Sequence, residues 1–288
     1  MAYGDGSDAR NLDVEGFDPA PSPDGQFFAY TTFGPVTTVV LADVDLDLQR
    51  TQCLVKLVFP TGYAGREARY GGPFGSVRRP QWPGPLANDA MFENPASRWL
   101  CVADDDEQDG LMVITESKYG AGVTEGRLHV SLARSAKVTP TNAHGNTTEL
   151  ESGEKDGDYA DLGRQTIRLA VGHFSAQAPR AEQPAALADL LFTPPIRYTG
   201  RPIDAGFAGL DGPASLVPAW AVPDADGGWT LRAHETLGGR GRVAVRLADE
   251  GSAKPVDLRG ETVERDAASI GPYELLSWRM APSADPTP

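Results

Sequence analysis

The sequence predicts an all-β protein of the sandwich type. Three observations carry that expectation. Short β-branched and aromatic segments recur along the chain with almost no helical periodicity between them. Gly and Pro are abundant, at 32 and 24 of 288 residues, which favours many turns over long helices. A period of two is explicit where Val44, Leu46 and Leu48 alternate with Asp43, Asp45 and Asp47.

Taken in order, residues 1–25 are rich in Gly, Asp, Ser and Pro and read as a flexible leader. Strand signals follow at Phe27–Thr32 and Val36–Leu41, then in the Asp-alternating run. Gln52–Phe59 is another, closed by Pro60-Thr61-Gly62. Arg98–Ala103, Gly110–Thr115, Arg127–Leu132 and Thr166–His173 come next. Val138–Gly157 is polar and reads as an exposed loop or hairpin insertion. Pro179–Pro195 holds the best helix signal, and it also reads as a connecting segment. Strands resume at Ser215–Val222, Gly228–Ala233, Arg240–Leu247, Lys254–Leu258 and Tyr273–Met280. The tail, Ala281–Pro288, is Pro-rich.

The chain carries 26 Lys and Arg against 40 Asp and Glu, a formal charge of −14. Such a surface repels phosphate backbones and anionic membranes, so nucleic acid and membrane are not expected partners. No apolar run approaches the ~18 residues of a membrane span. The start shows no signal-peptide pattern, and the two cysteines, Cys53 and Cys101, read as buried free thiols. A cytoplasmic location is the expectation.

The polar clusters have simpler readings than catalysis. Asp43, Asp45 and Asp47 begin like a calcium loop, but Leu48 stands where Gly is needed and Leu54 where Glu is needed. On a strand they form one solvated face. Asp104-Asp105-Asp106-Glu107 reads as an exposed turn. His129, His144, His173 and His234 show no metal-ligand spacing; His129 and His173 read as structural, and His144 as exposed. Trp99, Trp220 and Trp278 read as core, with Trp82 the least committed to one.

Several segments together resemble the C-terminal part of family 38 glycoside hydrolases, the α-mannosidases. They are Leu54-Val55-Lys56-Leu57-Val58-Phe59-Pro60, Gly75-Ser76-Val77-Arg78-Arg79-Pro80 and Phe92-Glu93 with Trp99. Gly110–Gly120, ending in Lys118-Tyr119-Gly120, and Leu128–Ser135 follow. Asp158–Gln165, Leu231–Gly238 and Pro272–Leu275 complete the ordered set.

The resemblance implies a galactose-mutarotase-like antiparallel supersandwich over residues 26–205 and a smaller terminal β-sandwich over 206–282, with a tail at 283–288. It implies kinship to enzymes that hydrolyse terminal α-mannose. The zinc and nucleophile belong to a barrel domain that no stretch here resembles, so no catalytic residue and no metal ligand is assigned in this chain. The implied partners are that barrel, on the same or a separate chain, and mannose-containing glycans; self-association is left open. By motif position Arg134 is the candidate substrate-binding residue, followed by Lys118 and Tyr119. Ala133 and Gln165 depart from the family's usual Leu and His. A stand-alone carbohydrate-binding or scaffold module is the alternative.

Overall fold

The computed structural model describes residues 20–21, 28–29, 39–49, 53–82, 84, 93–136, 159–193, 207–224, 228–247, 252–264 and 268–281. The 138–157 insertion, His144 and Phe92 lie outside them.

The strands run in this order. First come β1 (Ala20–Pro21), β2 (Phe28–Ala29), β3 (Val39–Leu48), β4 (Cys53–Pro60), β5 (Glu67–Gly72) and β6 (Gly75–Pro80). Then follow β7 (Asn94–Pro95), β8 (Trp99–Ala103), β9 (Gly110–Thr115), β10 (Gly120–Thr124), β11 (Arg127–Ser135) and β12 (Gly163–Phe174). A single 3-10 turn at Arg180–Glu182 leads into helix α1 (Pro184–Phe192). The rest are β13 (Phe207–Asp211), β14 (Leu216–Pro223), β15 (Trp229–Glu235), β16 (Gly241–Arg242), β17 (Ala244–Leu247), β18 (Ser252–Pro255), β19 (Ser269–Ile270) and β20 (Leu275–Ala281). β1 pairs with β2, so the described part of the expected leader joins a strand ladder.

Two antiparallel sheets face each other in the first unit. One is ordered β4-β11-β10-β7 and the other β3-β12-β9-β8-β5-β6. Their shared core holds Leu57, Tyr70, Leu100, Val102, Val113, Val123, Leu128, Val130, Leu132 and Leu169. The six-stranded sheet buries its other face as well. Trp99, Cys101, Met112, Ile114 and Phe174 pack there against Leu187 and Ala188 of α1. That explains why Trp99-Leu100-Cys101-Val102-Ala103 is apolar without alternation: every residue of β8 is buried.

Edge strand β3 keeps its alternation because only one face is covered. Ala42, Val44 and Leu46 turn to the core. Asp43, Asp45 and Asp47 stand opposite Arg168, Thr166 and Arg164 of β12. Thr166 donates to Asp45 at 2.5 Å. These aspartates are the charged side of an exposed edge, which discourages pairing with other chains.

Tyr70 crosses the first core. Its side chain is 1% exposed, and its hydroxyl oxygen accepts from Val123 N at 2.8 Å. Tyr70→Phe leaves that amide without its partner and is expected to cost about 1–2 kcal/mol by denaturant unfolding. A loss below about 0.5 kcal/mol would contradict the role given to the hydroxyl.

Residues of β13–β20 form a second sandwich. Sheet β14-β15-β20-β18 packs on the β13-β17 ribbon around Leu210, Leu216, Leu231, Ala233, Leu276 and Trp278. Several expectations change here. Arg240–Leu247 is interrupted, giving β16 and β17 rather than one strand. Cys53 is half-buried rather than buried. Trp220, expected in the core, is 64% exposed. β14 is an edge strand, and a register shift between Pro218 and Trp220 leaves residues 220–223 exposed on both faces. Among the described residues no helix is long and apolar enough to cross a membrane.

Candidate functional site

Residues from several of the segments that carried the sequence resemblance gather at two places. The first is the outer face of sheet β4-β11-β10-β7. On β4, Leu57 faces the core, so Leu54, Lys56 and Val58 face outward. Leu54 is 45% and Val58 49% exposed. Lys56 stands opposite Ser131 of β11, and its ammonium lies 3.5 Å from the Glu93 carboxylate. That carboxylate occupies the space a side chain at residue 120 would need, and Ser131 Cβ lies 3.3 Å from the same point. The Lys56, Glu93 and Gly120 motif positions are therefore one contact, made across three strands.

Glycine at 120 is thus a packing requirement. Gly120→Ala is expected to push Glu93 off the sheet and loosen its pair with Lys56. The carboxylate is the far end of a flexible chain and the pair is partly exposed, so the expected loss is about 1 kcal/mol or less. Thermal unfolding of the variant checks this; a loss above about 3 kcal/mol would show that Glu93 cannot move aside.

The placement of Arg134 has a local cause. A bulge between Ser131 and Ala133 inserts Leu132 into β11. Leu132 and Ala133 are both buried, and the parity of the strand reverses. Arg134 therefore returns to the outward face, opposite Leu54, and is exposed. Lys118 and Tyr119 sit in the turn before β10, at the end of the sheet toward which β11 runs to Arg134. Thr115 Oγ1 donates to Lys118 O and Ala96 N to Tyr119 O, both at 2.8 Å. Tyr119 is 58% exposed and Lys118 is half-buried. The topology thus brings all three sequence candidates to one end of one sheet. Ser131 joins them from below, with its Oγ buried and without a hydrogen-bond partner among the described residues.

The second gathering is the junction between the two β units. Arg69 of β5 is 3% exposed. It donates to both Glu107 oxygens, at 2.8 and 2.9 Å, and to Leu237 O at 2.6 Å. Ser76 Oγ donates to Thr236 O at 2.7 Å. The loop receiving these bonds is shaped by Glu235, which is fully buried. Its carboxylate accepts from the amides of Leu237 (2.9 Å), Gly238 (2.7 Å) and Tyr273 (2.9 Å). These donors, with Ser215, outweigh its burial and hold the carboxyl below its ordinary value. The Tyr273 ring fills a slot between Gly75 and Gly238, where a Cβ at either position would collide with it.

The acidic run at Asp104–Glu107 is more than an exposed turn. Asp104 and Asp105 accept from the amides of Ala64 and Arg66, at 3.1 and 2.7 Å. Glu107, at φ 54°, turns back toward Arg69 and Arg78. Sequence reading missed this because a contiguous charge run does not reveal which member reverses direction. His173 bonds Asp109 at 2.5 Å on the surface, a structural pairing.

Among the described residues no group of three His, Cys, Asp or Glu comes together to hold a metal ion. The described residues therefore offer no ligand set for zinc. Among the described residues the perturbed carboxyls, Glu235 and Asp257, both move downward: Ser215 and backbone amides bond the charged form of Glu235, and backbone amides that of Asp257. That direction suits structural acceptors rather than a general acid.

Residues 37–140 match the family described as the glycosyl hydrolases family 38 C-terminal domain. No curated protein matches the chain. Among solved structures, a glycosyl hydrolase family 38 protein from Enterococcus faecalis is similar over 84% of this chain, at 14% identity and TM-score 0.60. An α-mannosidase from Enterococcus faecalis V583 is similar over the same share, at 13% identity and TM-score 0.60. The chain spans 28% and 27% of the lengths of these two proteins.

Proposed function

Taking residues 37–140 as a family 38 C-terminal domain, we propose that this chain is the non-catalytic β portion of a family 38 α-mannosidase. The hydrolysis of terminal α-mannose then belongs to a catalytic part outside this sequence, which would carry the zinc and the nucleophile. The two β units divide near residue 206, and the chain docks against that catalytic part. The observation that carries the reading is the convergence of the motif positions Lys56, Glu93, Gly120 and Ser131 on one outward sheet face. Free Cys53 and Cys101 suit a reducing, cytoplasmic setting.

In this reading Arg134 reaches toward the sugar site at the interface, with Tyr119 and Lys118 beside it. Arg134→Ala in the reassembled enzyme is expected to lower kcat/KM on an α-mannoside about tenfold or more, as loss of one charged contact to substrate does. The thermal unfolding of the β portion should stay within about 0.5 kcal/mol of the parent, because Arg134 is exposed. Unchanged kinetics would reject the role.

One observation favours the second reading, a saccharide-binding module. Exposed Trp220 stands opposite Arg232 on the outer face of its sheet, and Arg232 is steadied by a bond to Leu258 O at 2.9 Å. An indole face beside a guanidinium suits a pyranose. Calorimetry against mannose and short mannosides tests it. Heat lost on Trp220→Ala would support it, and no heat at millimolar sugar would reject it.

A further inference from the structure

His234 of β15 lies at the junction between the two β units. Its ring meets Phe74, from the β5–β6 turn, edge-on at 5.7 Å between centroids. Phe74 has φ 92° at the second corner of the two-residue Pro73-Phe74 turn, and its ring is 61% exposed, so the contact with His234 covers one edge of it. Nδ1 of His234 is buried and has no hydrogen-bond partner among the described residues. A protonated imidazole carries an N–H on both nitrogens. Proton uptake would place a charge on a partly buried ring and leave the buried Nδ1–H without an acceptor among the described residues.

The anions near the ring are already engaged. Asp189 of α1 pairs with Arg98 at 2.8 Å. Glu235 accepts the amides of Leu237, Gly238 and Tyr273. Other charged groups at the junction are Arg69 on β5 and Arg78 on β6, each paired with Glu107, and Glu274, which accepts from Gly271 N beside Arg240. Burial lowers the His234 value and outweighs the opposing pull of Asp189 and Glu235.

We propose that this junction is an acid-sensitive hinge with His234 as its trigger: proton uptake by His234 undocks the Phe74 turn and frees the second β unit from the first. The sign follows from linkage. The closed junction holds His234 below its ordinary 6.5 and the open one releases it. Closure is therefore fully favoured above pH 6.5. It weakens as pH falls from 6.5 toward the lowered value, by about tenfold in the closed-to-open ratio for each unit of lowering. Glu235 adds its own loss in the same direction, but only below pH 4.5, outside that window.

Hydrogen exchange of the full chain, corrected for intrinsic rates, tests this between pH 7.5 and 5.5. Protection of residues 74–76 and 236–239 is expected to fall on acidification, while β8 and β9 stay protected. In His234→Phe, which keeps a ring without a proton, protection of both segments should not change with pH. Equal loss in the variant, unchanged protection in the parent, or a loss spread evenly over the core would each overturn the proposal. Should the variant fail to fold, titration of the His234 ring in the parent by NMR decides. A midpoint below 6.5 supports the hinge, and one at or above 6.5 overturns it.

Discussion

Arg69→Met will destabilise the protein by about 3 kcal/mol, seen as a Tm lower by about 6–12 °C. Methionine keeps most of the side-chain volume, so the effect is not a cavity. What is lost is a guanidinium, 3% exposed, that serves three acceptors on two β units. Glu107 loses a two-point partner and keeps only Arg78, at 3.0 Å. Leu237 O and Ser76 Oγ lose theirs as well. A buried carbonyl without a donor costs about 1–3 kcal/mol, and a half-buried carboxylate without its main partner costs more. The remaining exposure of Glu107 and its contact with Arg78 keep the expected figure at the low end. A loss under 1 kcal/mol would mean that the junction carries little of the stability.

Glu235→Gln comes next, at about 2–4 kcal/mol. The substituted amide places an NH2 where the carboxylate accepted amide hydrogens, so donor faces donor at Gly238 and Tyr273. The loop 236–239 then loses its template, and with it the carbonyls that Arg69 and Ser76 use. The pH dependence separates this from simple loop damage. Because the folded carboxyl lies below its ordinary 4.5, Glu235 contributes stability that is complete above pH 4.5 and is lost as pH falls through the lowered value. Parent and variant should therefore differ fully at pH 6 and converge in acid. A difference that stays constant down to pH 2.5 would contradict the assignment of this role to the charged carboxylate.

The class of fold was legible because its strands obey two simple patterns. β3 alternates, and β8 is apolar throughout, with β9 apolar up to Thr115, because both faces are covered. The missed strands fail both patterns. β10 reads Gly-Ala-Gly-Val-Thr, and β5 ends in Gly71-Gly72. Glycines there weaken any strand signal, yet the fold needs one at 71, where Ser97 O and the Trp99 ring leave no room for a Cβ. Trp220 was misplaced because an apolar run does not reveal that its strand is an edge with a shifted register. The motif residues were visible in the sequence, but their division was not. Only the register sets Lys56, Glu93 and Gly120 on one sheet face and sends Ser76, Glu235 and Tyr273 to the junction. The outward turn of Arg134 depends on one inserted residue, Leu132, which no local composition marks.

The proposed role is to support α-mannose hydrolysis without performing it. Turnover of a nitrophenyl α-mannoside by the chain alone, with zinc added, tests it most directly. The expected result is no turnover above the uncatalysed rate. Turnover that disappears when a residue within this chain is replaced would show that the chain is itself catalytic.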